Sequence, residues 1–165
     1  MSEAIIQFFQ GLSLSDELLV TIVSMIPIVE LRGAIPLGFV LGMDPWVLYA
    51  LTVLGNLLPV PFILLLIRPV IRWFLKTRAF RKLGLWIEAK AEKHKGKVEK
   101  YEFWGLFIFV AIPLPGTGAW TGALIAAFLD MRMKKALPSI ALGVLTAGLI
   151  MTFGSSIVAF IVSLF

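Results

Sequence analysis

The sequence contains no cysteine, and its single histidine, His94, lies in a lysine-rich segment. A disulfide framework and a thiolate metal site are therefore excluded, and we interpret His94 as a solvated surface residue rather than a metal ligand. Residues 1–17 hold no lysine or arginine, so we expect no cleaved signal peptide. The motifs of serine hydrolases, zinc proteases and phosphate-binding loops are also absent, and we expect neither catalysis nor a bound cofactor or metal.

Charge is scarce as well. Only 15% of the 165 residues are charged, whereas 59% are hydrophobic. A soluble globular domain carries about 25% charged and about 45–50% apolar residues. The composition therefore predicts an all-α integral membrane protein, with residues 1–165 forming a single membrane domain. The net charge of +5 is distributed as for a membrane surface, so no nucleic-acid partner is expected.

Four apolar runs are long enough to cross a bilayer, for which about 20 residues suffice. They occupy residues 18–43, 46–67, 103–129 and 136–165. We predict transmembrane helices at 46–67 and 136–165. Prolines and glycines interrupt 18–43 and 103–129 near their middle, which favours re-entrant helical hairpins.

The positive charges support this assignment. Of the 15 lysines and arginines, 11 lie in 68–102, three lie in 132–135, and one is Arg32. If all four runs crossed the membrane, the two basic segments would face opposite sides, against the positive-inside rule. With two re-entrant hairpins, both basic segments become cytoplasmic and both termini external. We predict that 1–17 lies along the external face and that 68–102 forms amphipathic helices on anionic lipid.

The elements occur twice in the same order, as an amphipathic helix, a re-entrant hairpin and a transmembrane helix. A shift of 86 residues places Asp44 on Asp130, and we expect each aspartate to cap the helix that follows it. An odd number of crossings separates the two copies, which predicts an inverted repeat, an architecture of transporters. Glycines four residues apart after each hairpin tip predict close helix packing. These pairs are Gly38 with Gly42 and Gly118 with Gly122.

Two charges interrupt the first run, at Glu30 and Arg32. Each costs about 2.5–3.5 kcal/mol in mid-membrane, so a functional site is the default interpretation, with a buried structural ion pair as the alternative. In an unwound tip, residues two apart share a side, and Gly33 would supply the turn. Pro36 suits the first turn of the following half-helix. Glu30 is then a candidate proton carrier and Arg32 a candidate group for an anion such as phosphate.

Other residues near the two tips and on the first span are weaker candidates for substrate contacts. Thr117 either contacts substrate or binds its own backbone, and Asn56 either contacts substrate or joins two helices by a hydrogen bond. The full candidate set adds Pro27, Asn56, Pro113, Pro115, Gly116, Thr117 and Gly118.

Three segments resemble the bacterial small multidrug export protein family. They are PIVELRGAIPLG from Pro27 to Gly38, the pair Gly55-Asn56, and IPLPGTGAWTG from Ile112 to Gly122. The resemblance implies a transporter in a bacterial or archaeal plasma membrane.

A more distant likeness is to the DedA, or VTT-domain, membrane proteins, which have paired re-entrant hairpins and are linked to lipid translocation and proton-coupled transport. That likeness implies Glu30 as the proton-linked acid and Arg32 as the anion-binding base. The chain departs from DedA proteins in having no charge at its second tip and no initial transmembrane span.

The leading hypothesis is a small-molecule or multidrug exporter that is coupled to protons through Glu30. Two crossing helices make a thin wall around a polar site, so we expect a homodimer or a larger assembly. The alternatives are a DedA-like flippase or scramblase for polyprenyl phosphate, a passive ion channel, and a membrane scaffold.

Overall fold

The computed structural model describes residues 15–76, 101–114 and 116–163. Within these ranges every regular element is a helix and no strand occurs, which confirms the predicted all-helical fold for this part of the chain. The helices are α1 Asp16–Met25, α2 Glu30–Val40, α3 Pro45–Leu57, α4 Pro59–Lys76, α5 Tyr101–Ala111, α6 Ala119–Phe128 and α7 Met133–Ser163.

The chain divides into two compact units. Unit 1 comprises Met1–Leu58 and Gly148–Phe165, and unit 2 comprises Pro59–Ala147. Two helical stretches are long and apolar enough to cross a membrane, Pro45–Ile67 with 23 residues and Met133–Ser156 with 24. They correspond to the runs predicted as spans at 46–67 and 136–165.

Helix α1 begins earlier than the first apolar run. Ser15 is its N-cap, and the Ser15 hydroxyl accepts a hydrogen bond from the amide of Leu18. Asp16 and Glu17 form the first turn, where negative charge suits the helix dipole. These two acids therefore belong to the hairpin helix rather than to a separate interfacial segment. The rest of that predicted segment, residues 1–14, lies outside the described part of the chain.

The apolar run 18–43 is not one straight helix. Helices α1 and α2 are separated by a turn at residues 26–29 and pack against each other. The buried side chains of Leu19, Val23 and Ala34 form the core between them. The predicted break is therefore present, while the return of this hairpin to the side it entered stays a prediction.

Helix α3 begins at a proline that follows a capping aspartate. The Asp44 carboxylate accepts hydrogen bonds from the amides of Trp46 at 2.9 Å and Val47 at 3.1 Å, which confirms the predicted cap. Helices α3 and α4 are separated only by Leu58. The interruption follows from Pro59, which has no amide hydrogen to continue the helical hydrogen bonds.

In unit 2 the run 103–129 is also broken. Helices α5 and α6 are separated by residues 112–118. They lie close together at Gly122, where an added Cβ would sit 2.6 Å from a methyl group of Val110. Gly118 is the N-cap of α6, and its part in the predicted Gly118–Gly122 packing stays a prediction.

The turns that end α2 and α6 share one backbone pattern. Gly42 and Asp130 hold the left-handed position, with φ of 75° and 51°. The next residue, Met43 or Met131, donates its amide to the carbonyl five residues earlier, at 3.0 and 2.9 Å. This is the Schellman motif. Gly42 thus ends a helix instead of joining Gly38 in a packing motif.

Asp130 lies in that same left-handed position and ends α6, whereas we predicted that it caps α7. The residue directly before α7 is Arg132, whose carbonyl accepts the amide of Ala136 at 3.0 Å. Asp130 is therefore not the N-cap residue of α7.

One packing contact occurs in both units. An added Cβ on Gly55 of α3 would lie 2.5 Å from the Thr21 carbonyl oxygen on α1. In unit 2, an added Cβ on Gly143 of α7 would lie 3.1 Å from the Phe107 carbonyl oxygen on α5. Thr21 and Phe107, in the helices before the two tips, thus differ by 86 in residue number. Gly55 and Gly143, in the helices after the tips, differ by 88. The shift of 86 residues therefore does not hold after the tips, because the second break is longer than the first; the inverted orientation stays a prediction.

The basic middle segment starts inside a helix. Helix α4 continues from the first span to Lys76, so no new helix begins at residue 68. Residues 77–100 lie outside the described part of the chain, and so does most of the predicted amphipathic pattern of 68–102. The cytoplasmic location of 68–102 and 132–135 stays a prediction.

Candidate functional site

The tip of the first hairpin places an acid at the start of a helix. Glu30 is the first residue of α2, and its backbone has a φ of 49°. Left-handed backbone costs an L-residue with a side chain about 1–2 kcal/mol. The Glu30 amide nevertheless donates to the Ile26 carbonyl at 2.9 Å, which closes the turn. Such strain persists only where the surrounding structure enforces it, and it concentrates at functional sites.

Glu30 and Arg32 form an ion pair. The Arg32 guanidinium donates to the Glu30 carboxylate at 3.1 Å, and their side chains are 18% and 4% exposed. In a regular helix, residues two apart do not face each other. The pair forms here because Glu30 departs from helical geometry. The structure thus brings together the two charges that the sequence analysis selected.

Two neighbouring candidates, Gly33 and Pro36, differ from the prediction, and for Pro27 the candidate role stays a prediction. Gly33 lies inside α2, where an added Cβ would collide with Val29, so it serves close packing; the turn residue is Glu30 instead. Pro36 lies in the interior of α2 and not in its first turn. Its missing amide hydrogen removes a donor to the carbonyl of Arg32. Pro27 is exposed in the turn before α2.

Asn56 is the most unusual polar group in unit 1. It is 1% exposed, and neither its amide nitrogen nor its amide oxygen has a hydrogen-bond partner among the described residues. The predicted interhelical hydrogen bond is therefore absent from the described part of the chain. A buried amide without a partner costs about 1–3 kcal/mol, so Asn56 is not explained by stability.

Helix geometry places Asn56 at the depth of Glu30. Helices α2 and α3 are joined by a four-residue turn and run in opposite directions, and Gly38 of one lies against Leu48 of the other. Eight residues back from Gly38 is Glu30 and eight residues forward from Leu48 is Asn56, about 12 Å along each helix. Gly55 also lies against the last turns of α1, beside the hairpin tip.

The second tip carries no charge and is closed by its own backbone. The Thr117 hydroxyl lies 2.6 Å from the carbonyl of Ile112 and 2.9 Å from that of Leu114. Of the two predicted roles for Thr117, the backbone role is the one observed. Gly116 has a φ of 83° and is exposed, and Pro113 is partly buried. Pro115 lies outside the described residues.

The two units differ chemically at matching positions. With the offset of 88 residues, Glu30 corresponds to Gly118 and Asn56 to Val144, which is 1% exposed. The polar groups of the candidate site therefore belong to unit 1, and unit 2 repeats the local packing with neutral residues.

One polar group escaped the sequence analysis. The hydroxyl of Thr152, in α7, is buried and has no hydrogen-bond partner among the described residues. A threonine in a long apolar helix usually binds its own backbone, so the sequence contains no signal that distinguishes Thr152.

The described residues form an all-helical fold with two helices long and apolar enough to cross a membrane, and with a partly buried ion pair at a broken helix. These are the features of an α-helical membrane protein with an internal ionic site. Residues 30–150 match the family described as "Putative small multi-drug export protein". The match covers more than half of the chain and begins at Glu30, so the chain belongs to this family. Comparison with curated proteins and with solved structures found no match.

Proposed function

We propose that this protein is a small proton-coupled exporter of the plasma membrane, in which Glu30 carries the proton and Arg32 and Asn56 bind substrate. The observation that carries the proposal is the ion pair of 3.1 Å buried at the break between α1 and α2. Replacing a buried ion pair by apolar side chains is often neutral or stabilising, so stability alone gives little reason for this pair.

The Glu30 carboxylate and the substrate compete for the Arg32 guanidinium in this mechanism. Protonation of Glu30 neutralises its carboxylate and releases the Arg32 guanidinium for an acceptor group of the substrate. Loss of the proton restores the ion pair and displaces the substrate. Because Glu30 and Asn56 are 3% and 1% exposed, the α1–α2 hairpin must move to admit the substrate.

Proteoliposomes with an imposed pH gradient test this function. Carboxyfluorescein, an organic anion, serves as the soluble probe, and labelled polyprenyl phosphate as the lipid probe. Glu30→Gln is expected to abolish gradient-driven movement while insertion and folding persist. Asp44→Asn is the matched control, because asparagine caps a helix as well as aspartate does and the same charge is removed elsewhere. Wild-type rates in Glu30→Gln would end the coupling proposal.

A second candidate is a flippase for a lipid phosphate, as in DedA proteins. It is favoured by Ile28, which is 95% exposed at the tip beside the buried ion pair. An apolar surface next to a guanidinium suits a lipid with a phosphate head. Movement of polyprenyl phosphate without carboxyfluorescein transport would select this candidate.

Two other functions give distinct results in the same vesicles. A passive channel would show ion conductance that persists in Glu30→Gln. A scaffold would tolerate replacement of both Glu30 and Arg32. We further propose a homodimer or larger assembly, which native mass spectrometry in detergent tests; a monomer that transports would contradict it.

A further inference from the structure

A cleft lies in unit 1 between the start of α3 and the later part of α7. Its volume is about 240 Å³, and its walls include Trp46, Tyr49, Leu149 and Phe153. Gly148 lets α3 approach closely at this point, since an added Cβ would lie 2.9 Å from the Tyr49 ring. The cleft is separate from the ionic site, because Asn56 is seven residues beyond Tyr49, roughly 10 Å along α3.

The hydroxyl of Thr152 is the unusual feature of this cleft. Thr152 is 6% exposed, and its hydroxyl has no hydrogen-bond partner among the described residues. Other helical hydroxyls bind their own backbone: the Thr146 hydroxyl donates to the Leu142 carbonyl at 2.9 Å, and the Ser156 hydroxyl donates to the Thr152 carbonyl at 2.8 Å. A buried hydroxyl without a partner is unfavourable, so its partner is expected from a molecule in the cleft.

The lining restricts the chemistry of that molecule. Among the described lining residues none is charged, and three are aromatic. A cavity of about 150 Å³ lined by apolar side chains holds benzene, so this larger cleft accommodates one aromatic ring with a small substituent. The rings of Trp46 and Phe153 meet edge to face, with centroids 6.4 Å apart, as aromatic neighbours prefer.

The position of the cleft fits the same ligand class. It includes Pro45, where the span Pro45–Ile67 begins. Rings with one polar group favour the boundary between membrane and water. We propose that this cleft binds a small neutral aromatic molecule with one hydrogen-bonding group, of the phenol or indole type, and that the Thr152 hydroxyl makes the hydrogen bond.

The test uses the full chain in lipid nanodiscs, with 4-fluorophenol followed by fluorine NMR and indole as competitor. Saturable binding that indole displaces is expected, beyond the uptake by empty nanodiscs. Thr152→Val should weaken binding about fivefold. Thr146→Val is the matched control, because its hydroxyl binds its own helix, and it should keep wild-type affinity.

A cleft-filling variant gives the second measurement. Ser156→Phe places a ring in the cleft and should abolish saturable binding, and it decides the question if Thr152→Val fails to fold. Binding that only increases linearly with phenol would overturn the proposal. So would wild-type affinity in either Thr152→Val or Ser156→Phe.

Discussion

Arg32 donates a hydrogen bond of 3.1 Å back to Glu30, two residues before it, across the first turn of α2. Because both groups are largely buried, removing one leaves the other without its counter-charge. We expect Arg32→Met to lower the free energy of unfolding by about 3 kcal/mol. Combining it with Glu30→Gln should restore most of this loss. The free energies of unfolding of the wild type, both single variants and the double variant, measured in mixed detergent and SDS, complete this double-mutant cycle. If the effects of the two substitutions simply add, a paired role is contradicted.

We expect Asn56 to be required for transport although it lowers the free energy of unfolding. Asn56→Leu removes a buried amide that has no partner among the described residues, so we expect a gain of about 1–2 kcal/mol in unfolding free energy. Transport should be lost in the same variant. The control is Thr52→Val, whose hydroxyl already binds the Leu48 carbonyl at 2.7 Å and should not be needed for transport. A destabilised Asn56→Leu would show that the amide has a structural partner.

Gly55 and Gly143 lie where two helices pack so closely that we expect no side chain to be tolerated. The Cβ of Gly55→Ala would meet the backbone of α1, and that of Gly143→Ala would meet α5. We expect each substitution to cost about 1–3 kcal/mol by overpacking. Gly154→Ala is the control, because nothing lies within 4 Å of its added Cβ. Equal unfolding midpoints in all three variants would refute this packing.

Alanine substitution at two other glycines, Gly42 and Gly105, should change the free energy of unfolding in opposite directions. Gly42 has a φ of 75°, so Gly42→Ala should destabilise by about 1–2 kcal/mol. Gly105 lies inside α5 with open space at its Cβ position, and Gly105→Ala should stabilise by about 0.5–1 kcal/mol. The measurement is the unfolding free energy of each variant in the same detergent. A stabilising Gly42→Ala would mean that the Schellman turn is not formed.

The predicted sidedness is testable on this cysteine-free chain. Single cysteines at Lys95 and Lys134 should react with an impermeant thiol reagent from the cytoplasm. Cysteines at Ser13, Asp44 and Ser163 should react from outside. This pattern follows from the positive-inside rule together with two re-entrant hairpins. Labelling of Asp44 and Lys134 from the same side would exclude it.

Local sequence signals predicted the helices well. Proline and glycine interrupt a helix through their own backbone restrictions, so the breaks in 18–43 and 103–129 could be located without tertiary contacts. Asp44 was a predictable cap for the same reason, since a cap involves only the next three residues. The prediction that Gly33 makes the turn failed, because Glu30 holds the left-handed conformation instead, which residues with a side chain rarely adopt and which the local sequence therefore did not indicate.

The sequence alone determined that this protein is helical and apolar, that two of its apolar runs are broken, and that Glu30 and Arg32 are its exceptional charges. These properties depend on composition and on neighbours along the chain. Only the tertiary structure decided that Asn56 is buried without a partner among the described residues. It also decided that the residue-number offset between the two copies increases from 86 before the tips to 88 after them. Such features depend on which helices, distant in sequence, pack against each other. The sequence of one segment does not specify its packing partners.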